Sequence, residues 1–89
     1  MNHYALPRFW KHYRALPEEV RELADRQFER LKSDPHHPSL HFKKVGTRKQ
    51  LWSARVGLHC RAPGLDKPEG VVWVWIGTHA EYDRLLART

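Results

Sequence analysis

Residues 71–76 read Val-Val-Trp-Val-Trp-Ile, an unbroken apolar run. In an extended chain successive side chains point to opposite faces, so this segment is apolar on both faces and reads as the most buried strand of a sheet. Gly77 stops it. The residues that follow, Thr78-His79-Ala80-Glu81-Tyr82-Asp83, deliver a histidine, a phenol and a carboxylate to the end of that strand.

The pattern upstream supplies the rest of the architecture. In residues 7–16, Phe9, Tyr13 and Leu16 fall on one helical face. Pro17 suits the first turn of a second helix, with Glu18 and Glu19 where the helix dipole favours negative charge. Val20, Leu23, Ala24, Gln27, Phe28 and Leu31 continue it at helical spacing until Asp34-Pro35. The period then becomes two. Leu40 and Phe42 mark a first strand, residues 46–50 a polar turn, and Trp52, Ala54 and Val56 a second strand. Gly57 allows a tight turn, and Leu58, Cys60 and Ala62 mark a third strand. Residues 63–70 read as an exposed loop that tolerates insertion. Residues 81–88 read as a short terminal helix. This order predicts an α+β fold: two N-terminal helices packed on an antiparallel sheet of about four strands, with a short C-terminal helix. At 89 residues there is room for one core, so residues 1–89 form a single domain.

The charge is unevenly placed. Residues 35–65 contain Lys43, Lys44, Arg48, Lys49, Arg55 and Arg61 and no acid, so the whole formal charge of +6 resides in the middle third. A concentrated cationic surface beside titratable groups suits a polyanion such as a nucleic acid. The lone Cys60 fits a reducing compartment and reads as a small strand residue. No apolar run is long enough for a membrane span and the start is no signal peptide, which implies a cytoplasmic protein with no membrane partner. His36, His37 and His41 lack the neighbours of a structural zinc site, and no phosphate-cradling glycine motif occurs, so neither a metal nor a nucleotide cofactor is expected.

Metal-free RNA cleavage needs a base for the 2′-hydroxyl proton, an acid for the leaving 5′-oxygen and cations around the phosphorane. His79 is the leading acid–base candidate and Arg61 the phosphate clamp, since a guanidinium meets two phosphate oxygens. Arg55 is a second clamp and His59 a second acid–base group. Tyr82 can stack on a base, donate a proton or simply pack; Asp83 can orient His79 or cap a turn. Lys43, Lys44, Arg48 and Lys49 are candidate RNA-backbone contacts. Strand alternation sets Arg55, His59 and Arg61 opposite the apolar face, with His79 at the rim.

Three segments, PHHPSLHFKKV (35–45), WSARVGLHCR (52–61) and VVWVWIGTHAEYD (71–83), in this order resemble the RelE/ParE superfamily of toxins from bacterial type II toxin–antitoxin systems. The resemblance covers nearly the whole chain and is strongest to the RelE-like branch. It implies two helices on a curved antiparallel sheet, an N-terminal strand shortened to a few residues before Pro7, and mRNA cleavage in the ribosomal A site through the 2′-hydroxyl, without metal. It also implies an antitoxin whose acidic or amphipathic segment wraps the toxin, which is a monomer when free and a hetero-oligomer when neutralised. Arg61 takes the place of the arginine in the family's "GYR" strand, Arg55 stands near the family's strand lysine, and His79 falls where the family has Arg or His after the last strand. Tyr82 or Asp83 falls where a terminal aromatic usually sits. Two other readings remain: a ParE-like inhibitor of DNA gyrase, and a basic RNA-binding module without turnover.

Overall fold

The apolar run of residues 71–76 does enter the interior of a sheet, but only its first half is strand. The structure, a computed structural model, describes residues 1–46 and 50–87. In chain order they form β1 (His3–Ala5), α1 (Pro7–Arg14), α2 (Glu18–Ser33), a 3-10 turn (Pro38–Leu40), β2 (Lys43–Val45), β3 (Leu51–Val56), β4 (Cys60–Lys67), β5 (Gly70–Trp73), β6 (Gly77–Thr78) and α3 (His79–Ala87). The sheet order is β1-β5-β4-β3-β2, and β6 pairs with β4 beyond the end of β5. The expected α+β layout of helices on a sheet holds. The short β1 runs parallel to β5, so the sheet is mixed rather than purely antiparallel.

One face of the sheet carries Ala54, Val56, Cys60, Ala62, Val71 and Trp73, which cluster with Leu31 of α2 and Leu40. Phe9 and Tyr13 of α1 and Val20, Leu23 and Ala24 of α2 pack on this cluster from above. α2 has its acids at the start, Glu18 and Glu19, and its cations at the end, Arg30 and Lys32, as the helix dipole favours. α1 buries none of its residues fully. A cavity of about 290 Å³ consequently remains between α1, α2 and the sheet, and Tyr4, Trp10 and Phe28 stand exposed along it.

Four expectations need correction. The first strand begins at Lys43 rather than Leu40, because residues 38–40 wind into a 3-10 turn behind Pro38 and His41 adopts a left-handed φ of 43°. Leu58 and His59 lie in the turn between β3 and β4, made possible by Gly57 at φ 66°, so they are exposed and not strand residues. Residues 63–67 are the second half of β4 and not a loop; only Pro68 and Glu69 form the turn before β5. Finally α3 starts at His79, two residues early, because Thr78 caps it: its hydroxyl accepts from the Glu81 N–H at 3.2 Å and donates to the Glu81 carboxylate at 2.9 Å.

Pro63 in a central strand is explained by what lies beside it. Gly64 pairs with Trp73 and Arg61 with Gly77, so three steps along β4 match four steps on the neighbouring chain. Residues 74–76 thus hold one residue too many and form a bulge. The Pro63 carbonyl accepts the Val74 N–H at 3.2 Å, and its missing N–H falls on this same interrupted side, where no ladder bond is lost.

Gly70 holds the sheet's edge. Its φ of 143° suits glycine, and a Cβ there would overlap the Asn2 carbonyl, which accepts the Val71 N–H. Gly70→Ala is expected to cost about 1–3 kcal/mol and loosen β1, lowering the melting temperature by roughly 4–8 °C per kcal/mol. Calorimetry measures the drop, and faster amide exchange at residues 3–5 locates it.

His3 lies at the rim of the cavity, stacked on Trp73, and its Nδ1 accepts the Trp73 indole N–H at 3.2 Å. Burial, followed by the N-terminal ammonium and Lys32, holds this imidazole below its ordinary value of 6.5. Below that value the unfolded chain takes up a proton that the folded chain refuses, so stability falls as pH drops from 6.5 toward the folded value and gains nothing further above 6.5. His3→Gln keeps an acceptor for Trp73. It is expected to flatten part of the change in urea midpoint between about pH 7.5 and about pH 5.5, and an unchanged slope would assign that acid sensitivity elsewhere.

Candidate active site

β3 and β4 place two arginines side by side. Trp52, Ala54 and Val56 on β3, and Cys60 and Ala62 on β4, turn toward the helices, so Arg55 and Arg61 turn to the opposite face. They are direct cross-strand partners. Like charges directly opposite are unfavourable in a sheet, so the pair is a local cost awaiting an anion. Among the described residues, neither arginine is ion-paired with a carboxylate.

β6 brings the histidine. It pairs with β4 at Cys60 and Arg61, and α3 begins on the next residue, so His79 sits beside Arg61. The Arg61 Nε–H donates to His79 Nδ1 at 3.0 Å, while His79 Nε2 lies 3.2 Å from the Asp83 carboxylate, one helical turn on. With Nδ1 accepting, the ring proton sits on Nε2 facing Asp83. This carboxylate sets the ring's tautomer and orientation, as a carboxylate does for an acid–base histidine. The His79 backbone N–H is fixed by the His59 carbonyl at 2.7 Å.

The other candidates divide. His59 contributes its carbonyl to the start of α3, and its ring is exposed in the turn before β4. Tyr82 is buried, 5% exposed, with its ring 6.4 Å from that of His79. It supports the histidine from inside and does not offer a stacking face. Lys43 is paired with Ser53 and shares the arginine face. Lys44 is paired with Trp52 on the helix face; its ammonium meets Asp66 at 2.8 Å and lies over the Trp52 ring. That ammonium, with the Trp52 indole N–H, holds the Asp66 carboxyl below the usual carboxylate range. Lys44 therefore stands apart from the site. Arg48 and Lys49 lie outside the described residues. Cys60 faces the core, where burial and then Glu81 push its thiol up, away from the reactive thiolate.

Sequence reasoning missed His41. Its Nε2 lies 3.3 Å from Arg55 Nη1, while Arg55 Nε donates to the Gly57 carbonyl at 3.0 Å. The site is thus a row, His41–Arg55–Arg61–His79–Asp83. Among the described residues no group of three metal-ligating side chains is close enough to hold an ion, and no helix is long and apolar enough to cross a membrane.

This arrangement of helices on one face of a sheet superposes on solved toxin structures. The RelE–RelB antitoxin–toxin complex from Methanococcus jannaschii superposes with a TM-score of 0.70 at 16% identity, over 91% of this chain and 96% of that one. A YoeB/ParE toxin from Agrobacterium tumefaciens gives 0.66 at 14% identity, over 89% and 99%. The isolated RelE toxin of E. coli gives 0.62 at 17% identity, over 97% and 95%. The chain has the RelE-like fold. No protein-family model and no curated protein matches it.

Proposed function

We propose that residues 1–89 act as one toxin domain of a type II toxin–antitoxin pair, a cytoplasmic, metal-independent endoribonuclease that cleaves mRNA on the ribosome. The observation that carries this reading is the Arg61–His79–Asp83 chain beside Arg55 on the open sheet face. A phosphodiester seated at Arg61 draws its guanidinium from His79 Nδ1 to its own oxygens, which frees Nδ1 for the 2′-hydroxyl proton. The 2′-oxygen attacks phosphorus, the bond to the 5′-oxygen breaks, and that oxygen takes a proton from solvent, to which His79 returns the one it accepted. The products are a 2′,3′-cyclic phosphate and a 5′-hydroxyl. Asp83 offsets the charge that the ring acquires, and the guanidinium groups offset that of the phosphorane.

The partner of this reading is an antitoxin with an acidic or amphipathic segment. The exposed Tyr4, Trp10 and Phe28 along the 290 Å³ groove offer anchors for its apolar face, in the manner of a helix laid in a groove. Two of the solved structures with this fold are toxin–antitoxin complexes.

The test maps mRNA 5′ ends by primer extension in a purified translation reaction, with ribosomes present or omitted. New ends inside codons that need ribosomes support the reading. Intact mRNA in both reactions removes it, and inhibition of gyrase supercoiling by the same preparation would replace it with the gyrase reading.

A further inference from the structure

His41 is the one described non-glycine residue with a positive φ, 43°. Positive φ is uncommon for non-glycine residues, though histidine adopts it more readily than most, and it persists where the surroundings over-determine it. The surroundings here are a polar strut. Gln27, 5% exposed on α2, donates through Nε2 to the carbonyls of both Ser39 and Arg55, at 3.4 and 3.2 Å. Arg30 Nη1 donates to both the Gln27 side-chain Oε1 and the Ser39 hydroxyl, at 3.0 and 3.1 Å. His37 Nδ1 accepts the Ser39 N–H at 3.2 Å, and the His41 N–H returns to the Pro38 carbonyl at 3.3 Å. A single buried amide thus ties the 3-10 turn to β3 at Arg55. The consequence is that an exposed imidazole is held against the Arg55 guanidinium, at the opposite end of the arginine pair from His79.

Two arginines flanked by two histidines form a row longer than one phosphate needs, and Lys43, two residues on, shares the face. From this we propose that His41 and Arg55 form a second subsite, which holds the phosphate of single-stranded RNA adjacent to the one at Arg61 and His79. His41 contacts RNA there and takes no part in proton transfer. The proposal rests on the RNA reading above but not on turnover.

The test uses a short RNA with 2′-O-methyl groups, which cannot be cleaved, titrated into the full chain while the imidazole NMR signals of His41 and His79 are followed. Both signals are expected to move with one binding constant. His41→Asn, chosen because asparagine tolerates a left-handed backbone, is expected to weaken binding about ten-fold, the scale of a lost hydrogen bond to a charged group. It is also expected to raise KM far more than it lowers kcat. His79→Ala should do the reverse. Movement of His79 alone, or unchanged binding by His41→Asn, overturns the subsite and leaves the nuclease reading standing. Movement of both signals with no cleavage by the parent protein on ribosomes overturns the nuclease reading and leaves the subsite. Absence of any RNA binding overturns the subsite, and the ribosome reaction alone then decides the nuclease reading.

Discussion

His79→Ala is expected to lower single-turnover cleavage by on the order of 10²–10⁴-fold, the usual contribution of one positioned acid or base. Its cost to the fold is expected to be small, within about 0.5 kcal/mol, because the ring is half exposed and its i,i+4 pairing with Asp83 is a surface contact. This separation makes the prediction sharp: a near-normal melt together with lost cleavage. Arg61→Ala is expected to fall into the same range, since it removes a phosphate donor and one of the contacts that align His79. Arg61→Lys keeps the charge but not the planar fork, so it should recover only part of the rate. Asp83→Asn, which leaves the ring in place with a weaker partner, should lose less than either. Parent-like cleavage by His79→Ala would move the chemistry away from this row altogether.

The largest effect on stability is expected from Trp73→Ala, at about 3–5 kcal/mol. Trp73 is 6% exposed and sits where β5 meets β1 and β4. Its ring stacks on His3 and packs against Phe42, and its N–H is satisfied by His3. It also lines the 290 Å³ cavity, so truncation enlarges a void that the incompletely packed α1 cannot close. Against a typical stability of about 5–15 kcal/mol, such a loss brings a domain of this size near unfolding at ambient temperature. Trp75→Ala serves as the control: Trp75 is half-buried beneath His12, and its loss should cost distinctly less. Urea unfolding of both variants provides the comparison, and equal midpoints would refute the assignment of Trp73 as the central packing residue.

Much of this molecule could be read from the chain because local pattern and tertiary role agree. α2 and β3 announce themselves through periodicity, whereas the Thr78-x-x-Glu81 cap that starts α3 two residues earlier than expected goes unread. The proximity of His79 and Arg61 follows from a strand that ends in glycine beside another strand. What escaped notice depended on non-local compensation. Pro63 and Gly64 look like a loop until the bulge beside them is known. β1, which the family resemblance implies but no local pattern marks, is a strand because β5 offers it an edge. His41 reads as the outward residue of a strand between Leu40 and Phe42, and only the buried amide of Gln27, drawn from a helix at a distance, sets it beside Arg55.

The extra residue in 74–76 makes the chain unequally tolerant of length change. Removing one residue there would restore an even ladder that keeps Gly77 opposite Arg61 and His79 beside it, whereas one residue more must widen the bulge or slip His79 off its register. A residue added between Pro68 and Glu69, at the hairpin tip, alters only a turn. Three or four steps between the counterparts of Trp73 and Gly77 therefore build the same site, while the hairpin tip is free to vary in length.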